Sequence, residues 1–113
     1  MSALSDSRKQ PSEVVRVALA PASSGANTLV AAVAGRKIRV LAYSINGASA
    51  VNAKFQSSTT SDLTKLHYMA NSQGPYVFPY NPHGWFETVA GELLNLDLSG
   101  AVVTSVLLTY III

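Results

Sequence analysis

The side chains best suited to catalysis or metal binding are few and are spread along the chain. The sequence has two histidines and no cysteine. A hydrolase nucleophile needs a serine, threonine or cysteine beside a base, and the Gly-x-Ser-x-Gly turn that presents such a serine is absent. A metal site on a small β-barrel needs clustered histidines and a carboxylate. We therefore predict no catalytic residue, no metal ligand and no cofactor.

The two histidines have ordinary structural interpretations. His67 follows Lys65 at a spacing of two residues, so in an extended strand both side chains point to the same face. We predict that this face is solvated and that His67 is exposed. His83 lies between Pro82 and Gly84 and is predicted to be a turn residue.

Two of the acidic residues, Glu87 and Glu92, flank the dipeptide Ala90-Gly91, which is suited to a hairpin turn. We predict that these two glutamates face one another as strand partners. A carboxylate pair also occurs in glycosidases, where one pKa is raised and a sugar cleft is present. The sequence shows neither feature, so a small β-barrel enzyme is the least favoured class.

The basic residues that are candidates for interaction form two groups. Arg8 and Lys9 lie in the N-terminal segment, whereas Arg36 precedes Lys37 and Arg39, which share one strand face. The second group is open to three interpretations: a phosphate contact, a charged strand edge that prevents unwanted pairing, or one side of a salt bridge between subunits. Because the net charge is only +2 and no clustered basic stripe appears, no nucleic-acid partner is predicted.

Aromatic side chains are concentrated in residues 76–86. Sugar-binding modules place such rings on an exposed face, and Tyr76, Tyr80 and Trp85 are the candidates for that role. The alternative is that Phe78, Phe86 and Trp85 fill the core while prolines stop edge pairing. We favour the core interpretation and keep the carbohydrate one.

The elements that would position these residues are short β-strands. Segments rich in Val, Ile, Leu and Tyr alternate with Gly, Pro, Asn and Ser clusters, and no helical periodicity is sustained. Apolar and polar residues alternate clearly from Val51 to Gln56, and Leu94, Leu96 and Leu98 alternate in the same way. The predicted strands lie near residues 15–19, 28–33, 37–45, 51–56, 65–68, 76–80, 85–89, 94–98 and 102–112.

Two further predictions concern faces and turns. Leu66 and Tyr68 alternate with Lys65 and His67, so Leu66 and Tyr68 are predicted to face the core. Four dipeptides are predicted to form hairpin turns because they contain a residue that tolerates positive φ. They are Ala34-Gly35, Asn46-Gly47, Ala90-Gly91 and Ser99-Gly100.

Length and composition indicate one domain. A chain of 113 residues suits a single core, and we predict a flexible arm at residues 1–11 followed by a sandwich at residues 12–113. The most apolar stretch, residues 101–113, is shorter than the roughly 20 residues that span a bilayer, so no membrane contact is predicted. Only 12% of residues are charged, which indicates a surface that contacts other proteins.

Two strands are apolar on both faces, unlike the others. Residues 40–45 carry apolar side chains on either side of the strand, and so does the C-terminal strand. A sandwich buries only one face of each sheet. We therefore expect the second face to be covered by a neighbouring subunit, by the N-terminal arm or by a loop.

The layout of the chain resembles that of small tailed-phage proteins. The resemblance runs from residues 29–40 through residues 54–57 to the Gly84-Trp85-Phe86 segment and a closing apolar strand, and covers roughly residues 12–111. Proteins of this kind are similar to the decoration, or cement, proteins on the outside of icosahedral phage heads.

The resemblance implies an all-β, jelly-roll-like antiparallel sandwich of about eight strands with no enzymatic activity. It also implies a location on the outer surface of the capsid, where the protein clamps neighbouring major capsid proteins and self-associates as a dimer or trimer. The alternative is a carbohydrate- or receptor-binding module of a phage fibre.

Overall fold

The computed structural model describes residues 13–59, 61–70 and 74–113, and all of its regular structure is β. The ten strands are β1 Val15–Leu19, β2 Gly25–Val30, β3 Ile38–Gly47, β4 Val51–Ser57, β5 Ser61–Asp62, β6 His67–Met69, β7 Tyr76–Phe78, β8 Phe86–Glu87, β9 Leu94–Leu98 and β10 Thr104–Ile112. The predicted all-β fold is confirmed. Over the described ranges, no helix is long and apolar enough to cross a membrane.

The strands form two antiparallel sheets that pack face to face. The first sheet has the order β1-β10-β3-β7, with β8 also pairing with β3. The second has the order β2-β9-β4-β5, with β6 also pairing with β4. We call them sheet 1 and sheet 2. Strand β7 is shorter than predicted because Pro79, which has no N–H to donate, follows it directly. Strand β8 is also shorter than predicted, at Phe86–Glu87.

The four dipeptides predicted to form hairpins connect strands of different sheets instead. Each joins a strand of one sheet to the next strand in the other, so the hairpin prediction was wrong at all four places. Gly35 and Gly91 do have the predicted positive φ, at 70° and 81°. Asn46-Gly47 lies at the end of β3. The positive φ of two of these glycines was therefore predicted correctly, but the strand after each dipeptide belongs to the other sheet rather than pairing with the strand before it.

The core lies between the sheets, and the faces of the two clearest strands are as predicted. On β4, Val51, Ala53 and Phe55 are buried. On β9, the leucines at positions 94, 96 and 98 are buried in the same cluster. Sheet 1 contributes the facing layer, which consists of Ile38, Val40, Tyr43, Ile45, Val106 and Leu108.

The face of β6 is opposite to the prediction. His67 is only 7% exposed, whereas Tyr68 is 62% exposed and Leu66 also faces solvent. His67 lies directly opposite Ala53 on β4, and residues directly opposite each other share a face, so His67 points into the sandwich. The polar ring is tolerated there because both of its nitrogens are hydrogen-bonded.

Asn95 is likewise buried, although its alternation with the leucines of β9 predicts an exposed side chain. Its Nδ2 donates to the carbonyl oxygen of Ser58 at 2.7 Å. The turn after β4 therefore covers this position on the outer side of sheet 2.

Candidate functional site

The outer face of sheet 1 is apolar and largely uncovered. Ala18, Leu107, Ser44 and Val77 lie side by side across its four strands, as the pairing registers show. Leu107 is 56% exposed and Val77 is 64% exposed. The neighbouring row consists of Arg16, Thr109 and Ala42. We call these two rows the outer face of sheet 1.

Leu107 stands between two shallow depressions on this face. One has a volume of about 350 Å³ and reaches from Leu107 towards Ala18 and Asn46. The other has a volume of about 220 Å³ and reaches towards Val77 and Pro79. A ridge flanked by two hollows can interlock with side chains of another protein surface.

The outer side of sheet 2 is polar by comparison. Lys54 lies opposite Asp97 and forms an ion pair with Asp62 at 3.1 Å. Gln56 also donates to Asp62, at 3.0 Å. An antiparallel sheet that faces water normally has such a polar surface, so sheet 1 is the unusual one.

Part of the second apolar face is covered by the chain itself. Leu41 is buried outside the main core cluster, and the N–H of Asn81, in the connection between β7 and β8, donates to the Leu41 carbonyl oxygen at 2.8 Å. Ile111 is also buried. The connection between β7 and β8 therefore runs beside Leu41 along the edge of β3, whereas Leu107 and Val77 remain exposed within the described residues.

Two of the basic candidates, Lys37 just before β3 and Arg39 on it, form ion pairs within the chain. Lys37 Nζ is 3.2 Å from Glu87 Oε2, and Arg39 Nη2 is 2.9 Å from Glu87 Oε1. Arg36 is exposed in the turn before β3. Arg8 and Lys9 lie outside the described residues. Lys37 and Arg39 therefore form an intramolecular ion-pair group rather than an unpaired basic patch.

The predicted pairing of the two glutamates with each other is wrong. Glu87 lies opposite Arg39 on β3, whereas Glu92 accepts a hydrogen bond from the hydroxyl of Ser57 at 2.6 Å. The chain crosses from sheet 1 to sheet 2 between them, so Glu87 contacts β3 whereas Glu92 contacts β4.

Replacing Glu87 with glutamine should remove part of the acid sensitivity of the fold. Hydrogen bonds from Arg39, and to a lesser extent from Lys37, hold the pKa of Glu87 below its ordinary value of 4.5. A lowered carboxyl pKa gives stability that is present above the ordinary value and is lost as the pH falls through the lowered one. Urea unfolding from pH 7 to pH 3 should show the two proteins converging at low pH. A constant difference across that range would contradict this role.

The aromatic candidates lie at one edge of the core, where most of them also line a pocket. Phe78 and Phe86 pack against the core, as predicted. Tyr76 and Trp85 line a pocket of about 360 Å³. Trp85 is 42% exposed, so the prediction that it fills the core is wrong. Tyr80 is exposed and lies outside that pocket. We call the pocket lined by Tyr76 and Trp85 the aromatic pocket.

A buried histidine–tyrosine pair at this pocket was missed by the alternation pattern. The Ala53 carbonyl oxygen can only accept, so its 3.0 Å contact places the proton on His67 Nδ1. Nε2 lies 2.8 Å from the Tyr43 hydroxyl, which donates to it when the ring is neutral. His83, in contrast, lies in the predicted turn, where its N–H donates to Asn81 Oδ1.

Neither a metal-binding cluster among the described residues nor a similar known protein points to a function. In the part of the chain that the structure describes, no group of three or more His, Cys, Asp or Glu residues is placed to hold a metal ion. Comparison with protein-family models, with curated proteins and with solved structures gives no match. The outer face of sheet 1 and the aromatic pocket are the observations from which function is inferred.

Proposed function

We propose that this protein is a decoration protein that binds the outside of an icosahedral phage head and clamps neighbouring major capsid proteins. The observation that carries this proposal is the outer face of sheet 1, where Leu107 and Val77 are exposed on an apolar surface with little charge. The sandwich does not need this face for its own core. An exposed apolar face supports a role in binding another protein.

The strand order and the sequence layout also support this role. Most connections cross from one sheet to the other, which is the kind of connectivity expected of the double-sheet jelly rolls that occur in viral capsid proteins. The chain resembles decoration proteins in its layout. Self-association as a dimer or trimer on the shell belongs to the same proposal.

Clamping follows from simple binding thermodynamics. A site shared by two capsid subunits exists only after the lattice has formed, so the protein should bind assembled heads better than free capsid protein. Any ligand that binds only the assembled state stabilises that state by mass action. A rigid sandwich adds interface area that expansion of the shell would have to break.

Changing Leu107 to lysine should weaken binding to heads by more than about tenfold, because an ammonium group buried without a partner costs several kcal/mol. The measurement is cosedimentation with heads assembled from the major capsid protein of the same genome. With DNA-filled particles, the wild-type protein should also raise the temperature at which the heads release DNA.

The matched control is Tyr68→Lys, which places the same charge at a similarly exposed position on the outer side of sheet 2. This variant should bind heads as the wild type does. The decoration role would be refuted if both variants lost binding to heads equally, or if the temperature of DNA release were the same with and without the protein.

A further inference from the structure

We propose that the aromatic pocket binds one pyranose ring of an acidic glycan, with the ring stacked on Trp85 and its carboxylate paired with Lys65. This site is separate from the outer face of sheet 1 and goes beyond the decoration role. It rests on the shape of the pocket, the fixed positions of its rings and the sign of its charge.

The pocket exists because the sandwich is open along one side. Sheet 1 ends there in β7 and β8, and sheet 2 ends in β5 and β6, all of which have only two or three residues. Tyr76, Phe78 and Trp85 line one wall, and Lys65 and Leu66 line the other. Its volume of about 360 Å³ is at the small end of the range of roughly 300–1,000 Å³ typical of ligand sites.

The rings of the pocket are held in place before any ligand binds. Trp85 Nε1 donates to the Pro79 carbonyl oxygen at 2.9 Å, and the indole packs edge-to-face on Phe78 with ring centroids 5.2 Å apart. The Tyr76 hydroxyl donates to the Tyr68 carbonyl oxygen at 2.8 Å. A ligand that stacks on Trp85 therefore does not have to order a mobile side chain, which favours affinity.

The charge of the pocket selects the ligand class. Among the described residues that line the pocket, Lys65 is the one lysine or arginine, and none is an aspartate or glutamate. The nearby Asp62 carboxylate interacts electrostatically with Lys65, but it is ion-paired with Lys54 and does not line the pocket. A cationic ligand such as a quaternary ammonium is therefore disfavoured, because it would meet the Lys65 ammonium and no carboxylate at the described walls of the pocket. The pocket therefore suits a ligand that is neutral or negatively charged.

The combination of apolar walls and an open mouth favours a sugar ring among neutral and negatively charged ligands. The hydroxyl of Tyr43 and the ring of His67 satisfy each other, so the inner part of the pocket presents aromatic surface rather than free charge. A pyranose has an apolar C–H face that can stack on an indole and hydroxyl groups that can remain in water at the mouth. A uronic acid adds the carboxylate that Lys65 can bind.

The test is binding of the full-length protein to an array of neutral and uronic-acid-containing oligosaccharides, followed by titration of the best binder. We expect binding of an acidic glycan together with a shift of the Trp85 indole N–H resonance. Trp85→Ala should reduce affinity more than tenfold. Lys65→Met, at an exposed position, should reduce affinity for the acidic glycan to that for its neutral counterpart.

The matched aromatic control is Tyr80→Ala, which removes a ring that is 61% exposed but lies outside the pocket and should leave binding unchanged. Leu107→Lys should also leave glycan binding unchanged, so this result is independent of the decoration role. Three results would each overturn the proposal. The protein could fail to bind any array glycan at millimolar concentration, or its glycan binding could survive both Trp85→Ala and Lys65→Met. It could also prefer a proline-rich peptide to every glycan.

Discussion

Replacing Phe55 with alanine is expected to lower the free energy of unfolding by about 3–5 kcal/mol, the usual cost of emptying an aromatic core site. Phe55 is fully buried in the middle of β4. Its ring centroid lies 4.8 Å from that of Tyr43 and 5.0 Å from that of Phe86, which both belong to sheet 1. Alanine would therefore leave a cavity between the sheets. Urea denaturation followed by circular dichroism measures the loss.

The control for this experiment is the adjacent residue on the opposite face of β4. Lys54→Ala removes a partly exposed ion pair with Asp62, and such pairs contribute at most about 1 kcal/mol. If Lys54→Ala were the more damaging change, the faces of β4 would be inverted relative to this structure.

Replacing Tyr43 with alanine is expected to destabilise the fold by about 3–5 kcal/mol from the lost ring alone. The Tyr43 ring stacks on Phe78, with centroids 4.5 Å apart, and meets Phe55 and Phe86 edge-on. The same change leaves Nε2 of His67 without its donor. Thermal or urea unfolding should therefore show a loss at least as large as that for Phe55→Ala.

The variant Tyr43→Phe isolates the hydroxyl, because it keeps the ring and removes only the hydrogen bond to His67. Leaving a buried acceptor unpaired costs about 1–3 kcal/mol. A loss as large as that of Tyr43→Ala would mean that the ring contributes little to packing.

Tyr43→Phe should also change the alkaline stability of the protein. Burial raises the pKa of Tyr43 well above its ordinary value of 10.0. A raised pKa gives stability that is present below the ordinary value and is lost as the pH rises above it. The wild type should therefore lose stability above pH 10 more steeply than the phenylalanine variant, as measured by urea unfolding from pH 8 to pH 11.

The sequence pattern predicts that the outer face of sheet 1 is apolar but not which part of it is buried. Apolar residues on both sides of β3 and β10 predict a second face in need of cover. The structure shows that this face is divided, because the connection between β7 and β8 runs beside Leu41 and leaves Leu107 exposed. Which part is buried depends on tertiary contacts with segments such as Asn81, which is 40 residues from Leu41 in sequence, and no local pattern encodes those contacts.

Gly47 is a second example: a glycine is required at this position, but not for the hairpin that the sequence predicts. The Asn46-Gly47 dipeptide predicts a hairpin that needs positive φ, but Gly47 is not among the residues with positive φ. A Cβ at this position would lie 2.6 Å from Cγ1 of Val51 and 2.8 Å from the carbonyl oxygen of Ser49. The glycine is needed for a close approach where the chain crosses between the sheets.

The pairings that build the aromatic pocket and the ion-pair group join residues far apart in sequence. Arg39 and Glu87 are 48 positions apart, and Tyr43 and His67 are 24 positions apart. Spacing rules compare residues within one element, so they could not place these partners together. The mistaken pairing of Glu87 with Glu92 arose from the same restriction.

Although it missed β5 and placed β2 three residues too late, the sequence by itself determined the β class, the approximate positions of the longer strands β1, β3, β4, β9 and β10, and the inner faces of β4 and β9. These follow from alternation over five or more residues, which is a local property of an extended chain. Only the tertiary structure decided the sheet to which each strand belongs, the inward face of the three-residue strand β6 and the opening of the aromatic pocket. The physical reason is that these features depend on pairing register and on contacts across the sandwich, where a partner distant in sequence decides which side of a short strand is buried.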